Sequence, residues 1–161
     1  VLCLLMLMTV LTLTSYEYAK LQYQIADIFL RHKEVHTHLL FQLNQVEKKF
    51  KLDHQVCLFP TKSSITYAHE TVAWWKQNAC LLSNKPFRTY YVNEKIAPNV
   101  CQPLENNKAM GLAIHRLTLV SLTKHGKSFL QTVEIEPEES VLPCTYLLQI
   151  HQLGRQNLRW G

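Results

Sequence analysis

The first proline of the chain is Pro60 and the first glycine is Gly111, so the opening stretch carries neither of the residues that most readily break a helix. It begins VLCLLMLMTVLTLT, apolar or threonine throughout, and meets its first charge at Glu17. It then turns amphipathic and runs through KLQYQIADIFLRHKEVHTHLLFQLNQVEKKF. An unbroken helix of ~50 residues is ~75 Å long at ~1.5 Å per residue, far longer than a small domain is wide. The all-round apolar end calls for lipid or a helical bundle, and the one-sided part calls for a protein face.

Beyond Tyr18, apolar residues recur at Leu21, Ile25, Ile28, Phe29, Val35, Leu39, Leu43, Val46 and Phe50, mostly at intervals of three or four. Lys20, Gln24, Asp27, Arg31, Glu34, Gln42, Gln45 and Lys49 fall mostly on the other side. The expected division is a helix over 1–54, with 1–15 its apolar part and 16–54 its amphipathic part, followed by a globular α+β domain over 55–161. The fourteen apolar residues rise only ~21 Å, whereas a hydrocarbon core is ~30 Å thick and takes ~20 residues. With Val at position 1, further residues are expected upstream.

The later domain is small enough to benefit from covalent staples. Cys57, Cys80, Cys101 and Cys144 all lie in it, at long separations and without a C-x-x-C pair, while Cys3 sits in the apolar head. Four cysteines in an exported domain read as two disulfides, with three connectivities open. The formal charge is +5, but Lys48, Lys49 and Lys51 form the only tight basic group, at the end of the helix. There they suit the helix dipole, and no basic stripe interleaved with aromatics suggests direct nucleic-acid binding.

Helical periodicity breaks between Asp53 and Pro60, which places the helix end near Leu52–His54. Ser64–Asn78 is predicted to be a short helix capped by Ser63 or Ser64, with one ring of the Trp74–Trp75 pair inward and one toward the surface. Phe87–Ile96 reads as a strand. Ile114–Thr123 and Ser128–Glu136 read as a β-hairpin closed by Lys124–Lys127. Cys144–Leu153 and Asn157–Trp160 are further strand candidates. These strands make an antiparallel sheet of three to five members, and the sheet needs a cover. The amphipathic helix supplies one through Leu21, Ile25, Ile28, Val35, Leu39, Leu43 and Val46.

No set of residues forms a catalytic site. His125-Gly126-Lys127-Ser128 is similar to the end of a phosphate-binding loop, but Ser121 stands where that pattern needs glycine, and a strand follows instead of a helix. The four residues are read as a turn. His32 and His36 have the i, i+4 spacing of a metal pair, with His38 and Glu34 nearby, yet no regularly spaced ligand completes a site. His69-Glu70 lacks the second histidine of a zincin motif, and Glu134, Glu136, Glu138 and Glu139 are read as solvated at a strand end. No enzyme activity, metal or cofactor is expected.

The plan of helix and domain resembles the type IV pilins, and within them the PilX-type minor pilins. Leu11-Thr12-Leu13 ends the apolar run as a similar Leu-Thr-Leu does in that family. Leu21-Gln22 followed by Ile25-Ala26 is similar to the family's Leu-Gln-x-x-Met-Ala segment, with Ile for Met. His115-Arg116-Leu117-Thr118 is similar to its Tyr-Arg-Ile-Thr strand, and Phe129–Val133 lies where its next strand falls. The family's Ala-Phe-Gln-Ala-Ala-Glu segment has Val35–Leu40 in its place. The likeness covers the helix to about Gln45 and one hairpin.

The resemblance implies a long helix packed by its second half on a small antiparallel sheet, with its apolar half protruding. It implies a non-catalytic minor pilin acting in pilus assembly or priming, and so in adhesion, twitching motility or DNA uptake. Such a subunit waits in the bacterial inner membrane with a periplasmic head before joining the filament or its tip. Its partners are other minor pilins and the major pilin through the helix, with a pilus-tip adhesin a further one. Leu4, Leu5, Leu7, Val10, Leu11 and Leu13 are the residues expected to carry the membrane and filament contacts. The favoured disulfides are Cys57–Cys80, tying the helix end to the next segment, and Cys101–Cys144, closing a loop around the hairpin as a C-terminal disulfide does in many pilins. The alternatives are a GspK-like pseudopilin of type II secretion, which usually carries a larger inserted domain, and a bitopic membrane protein whose periplasmic domain binds a partner or ligand. A secreted protein with a signal peptide is disfavoured, because the helical pattern runs through any cleavage point and no small-x-small site precedes Tyr16.

Overall fold

One helix, α1, runs Leu2–Leu52 without a break. The computed structural model describes residues 2–52, 56–61, 67–103, 109–124, 126–138, 146–147 and 154–160. The chain divides into two compact units, Val1–Thr37 and His38–Gly161. The first consists of the N-terminal part of α1. The second holds the last turns of α1, the strands β1 (Leu58–Phe59), β2 (Cys80–Ser83), β3 (Arg88–Pro103), β4 (Ala109–Thr123), β5 (Gly126–Glu138), β6 (Tyr146–Leu147) and β7 (Gly154–Trp160), a 3₁₀ turn at Tyr67–His69, and the short helix α2 (Val72–Asn78). The architecture is α+β.

The sheet is mixed and seven-stranded, larger than the three to five antiparallel strands expected. Its path is β1-β3-β4-β5-β7, and β2 and β6 also pair with β3. β1 and β6 run parallel to β3 in registers of two residues each, Leu58↔Asn93 to Phe59↔Glu94 and Val100↔Tyr146 to Cys101↔Leu147. Segments that short carry no periodicity, so neither parallel pairing was visible in the sequence. The hairpin β4–β5 is in unbroken antiparallel register from Gly111↔Glu138 to Thr123↔Gly126. Gly126 opens β5 at φ 146°, a backbone setting that side chains rarely adopt, as the turn reading of this stretch requires. Of the expected strand Cys144–Leu153, only β6 falls within the described residues.

The central strand β4 is buried on both faces: Leu117, Leu119 and Val120 have no exposure, and neither do Thr118 and Ser121. One face meets the last turns of α1. There Leu39, Leu43, Val46 and Phe50 are buried, the His38 ring nitrogen lies 3.1 Å from the Thr89 hydroxyl, and the Phe50 ring meets His115 edge-on at 4.8 Å. The other face carries an aromatic cluster of Tyr67, Trp75, Tyr90, Val92 and Val120, edged by Phe59, Trp74, Leu122 and Phe129. Farther along that face, Val100, Leu112 and Ile135 form a second cluster. Val35 is also buried.

Two expectations are corrected. Leu21, Ile25 and Ile28 do not belong to a buried stripe: they are exposed at 53%, 59% and 67%. Periodicity marks a face as apolar but does not say how far along the helix a cover extends. The helix expected over Ser64–Asn78 is confined to Val72–Asn78. Its cap is Thr71, whose hydroxyl accepts from the Trp74 backbone N–H at 3.2 Å, as an N-cap residue does. Ser63 and Ser64 lie outside the described residues. Trp75 is fully buried and Trp74 partly so.

Candidate functional site

The N-terminal part of α1 presents a long exposed apolar surface. Leu4, Leu5, Leu7, Val10, Leu11 and Leu13 are all exposed, and so are Met6, Met8 and the free thiol-bearing Cys3. No charged residue interrupts the run before Glu17. The threonines within it turn their hydroxyls back onto the helix: Thr9 donates to the Met6 carbonyl at 2.8 Å, Thr12 to Met8 at 3.0 Å and Thr14 to Val10 at 3.0 Å. Their polar atoms are thereby satisfied without water, which is the condition for residence in hydrocarbon. α1 is long and apolar enough to cross a membrane, and the candidate span is unburied.

The surface changes character after the apolar run. Tyr16, Tyr18 and Tyr23 are exposed in the stretch that follows it. Amphipathic rings are enriched where a span meets a membrane–water interface. Farther on, the Arg31 Nε donates to Asp27 Oδ2 at 2.8 Å on the polar side of the helix. Leu21, Ile25 and Ile28 continue an apolar stripe beside these polar groups. His36 has its pKa lowered, first by burial and then by the neighbouring His32. Among the described residues, no group of three His, Cys, Asp or Glu side chains is placed to hold a metal ion.

The remaining sequence candidates take structural places. Lys127 does more than fill a turn. Its Nζ donates to the carbonyls of Ala68 and Glu70, each at 2.6 Å, and so anchors the end of the 3₁₀ turn to β5. His125 lies outside the described residues. The reading of Glu134, Glu136, Glu138 and Glu139 as solvated is corrected for Glu134, which is buried among other ionisable groups. Glu138 pairs with Lys95 at 2.5 Å, and Glu139 lies outside the described residues. Cys57 and Cys80 form a disulfide. Cys101 is disulfide-bonded too, and its expected partner Cys144 lies outside the described residues.

A long apolar N-terminal helix joined to a β-sheet is compatible with a pilin-like fold. Compared with protein-family models, curated proteins and solved structures, the chain matches none of them.

Proposed function

We propose that this chain is a non-catalytic subunit of a type IV pilus, a minor pilin of the PilX type acting in pilus assembly or priming. The observation that carries this reading is the exposed apolar run from Leu2 to Leu13, with its threonine hydroxyls bonded to its own backbone. Such a surface is stable in a bilayer. It is equally stable inside a bundle of similar helices, so the subunit passes from one to the other without wetting its apolar face. The head would stay in the periplasm, where disulfides such as Cys57–Cys80 persist. The other minor pilins and the major pilin would contact it through the helix.

The test is Leu7→Asp in the full chain, with membrane fractionation, pull-down of pilins and counting of pili. Placing Asp at the centre of a bilayer-spanning helix costs ~2.5–3.5 kcal/mol. The expected result is loss of pull-down and piliation while the sheet domain keeps its circular dichroism. Normal assembly by this variant would overturn the proposal. So would full function after residues 2–15 are exchanged for an unrelated transmembrane segment, because a bitopic receptor needs only an anchor.

A further inference from the structure

The least expected chemistry in the sheet domain lies where α1, β5 and β7 meet. Arg155 on β7 stands opposite Glu134 on β5. Its guanidinium reaches to α1: Nε donates to Glu47 Oε1 at 2.6 Å, and Nη2 donates to Glu47 Oε2 at 2.5 Å and to Asn44 Oδ1 at 2.9 Å. This fork-to-fork grip engages both oxygens of Glu47. Glu134 is left over. Its Oε1 is 3.9 Å from Arg155 Nε, beyond hydrogen-bond reach, and among the described residues this buried oxygen has no hydrogen-bond partner.

One guanidinium cannot neutralise two carboxylates, and Glu134 is only 3% exposed. Among the described residues, the other groups facing it offer no second cation in close contact. Glu136, two residues along β5, adds negative charge. His115 is the β4 residue opposite Glu134; its Nδ1 lies 2.9 Å from Asn93 Oδ1 and its ring abuts Phe50. Lys95 on β3 is paired with Glu138. A buried carboxylate in this position takes a proton in preference to remaining charged.

We propose that Glu47 and Glu134 share one proton, and that this proton latches the last turns of α1 and the edge strand β7 to the sheet. The protonated Glu134 donates to the Glu47 carboxylate, which Arg155 holds from the other side. Burial raises the Glu134 pKa, the hydrogen bond and charge of Glu47 raise it further, Arg155 opposes and Glu136 adds, bringing it to about 8. A carboxyl raised in this way contributes stability that is complete below its unfolded value of 4.5 and is lost as pH rises through about 8. The latch is therefore closed on the acid side and loosens across neutrality. This inference stands apart from the assembly reading.

The test uses the full chain in detergent micelles, comparing wild type, Glu134→Gln and Glu47→Gln in unfolding experiments between about pH 5 and pH 9. The wild-type unfolding constant should rise by up to about tenfold per pH unit more steeply than that of Glu134→Gln, whose amide mimics the protonated acid. Glu47→Gln should move the transition toward the ordinary carboxyl range. The exchange protection factor of β7, which removes the intrinsic pH dependence of exchange and is read at Gln156 opposite Val133, should fall over the same interval in wild type alone. Parallel pH curves for wild type and Glu134→Gln would overturn the proposal. Should Glu134→Gln fail to fold, the infrared carbonyl band of a protonated carboxyl decides: wild type must show it at neutral pH and lose it above about pH 8. Its absence at neutral pH would overturn the proposal.

Discussion

Arg116 on β4 holds Glu94 on β3 through two hydrogen bonds, Nε to Oε2 at 2.9 Å and Nη2 to Oε1 at 3.1 Å, with the Glu94 side chain wholly buried. The two residues are in direct register across the ladder. Strand alternation places Glu94 on the same face as Tyr90 and Val92, which belong to the aromatic cluster. Removing one member of a buried pair strands the other, at a cost of about 3–5 kcal/mol, whereas replacing both with apolar side chains is often neutral. Arg116→Met should therefore lower the unfolding free energy by about 3 kcal/mol or more. The double variant Arg116→Met with Glu94→Leu should recover most of it. A double variant less stable than Arg116→Met alone would show that the ion pair itself, and not the stranded charge, controls stability here.

The outer edge of β3 is covered by three short strands. β2 pairs from Thr89 to Tyr91, β1 at Asn93 and Glu94, and β6 at Val100 and Cys101. The Cys57–Cys80 bridge joins the residue before β1 to the first residue of β2, at a sequence separation of 23. Strands of two to four residues make few ladder bonds, and an uncovered strand edge invites pairing with another chain. The bridge should contribute about 3 kcal/mol on the chain-entropy model. Cys57→Ser with Cys80→Ser is expected to lower the thermal midpoint. It should also speed exchange of the Asn93 amide, which donates to the Cys57 carbonyl at 2.9 Å. Unchanged protection at Asn93 would mean that β1 holds without the bridge.

The long helix and the β4–β5 hairpin were legible because each repeats its signal over many residues: no breaker before Pro60, and alternation with turn chemistry around Gly126. What stayed hidden depends on who covers whom. Leu21 and Leu39 look alike in a periodic pattern, yet one is exposed and the other fully buried. Glu134 looked like one acid among several at a strand end until β7 and α1 brought Arg155 and Glu47 beside it. The favoured Cys57–Cys80 pairing is present, but that its two flanking strands both lie along β3 had no trace in the sequence. Long-range pairing leaves no local mark on composition or period.

Lys127 provides a test of how the 3₁₀ turn is held. Its ammonium is shared between the Ala68 and Glu70 carbonyls, on the strand that also carries Phe129 of the aromatic cluster. Hydrogen bonds from charged donors contribute about 1.5–3 kcal/mol when protected from water. Because Lys127 is only partly buried, Lys127→Met should destabilise by about 1–2 kcal/mol, with the loss visible in Trp74 and Trp75 fluorescence before global unfolding. Identical fluorescence and denaturation midpoints for the variant and wild type would contradict an anchoring role.

A final pair of substitutions separates folding from assembly along one helix. Leu43 has no exposure, so Leu43→Ala leaves a cavity and should cost about 2–5 kcal/mol. Ile25 is 59% exposed, so Ile25→Ala should change the stability of the chain by no more than about 0.5 kcal/mol. If the apolar stripe through Leu21, Ile25 and Ile28 serves contacts with other helices, Ile25→Ala should nevertheless weaken capture by the proposed pilin partners. Leu43→Ala should weaken capture only to the extent that less folded protein is present. Denaturant melts and quantitative pull-down on the same preparations distinguish the two effects. An Ile25→Ala variant with normal capture would remove that stripe from the assembly surface and leave the apolar run before Glu17 as the segment responsible.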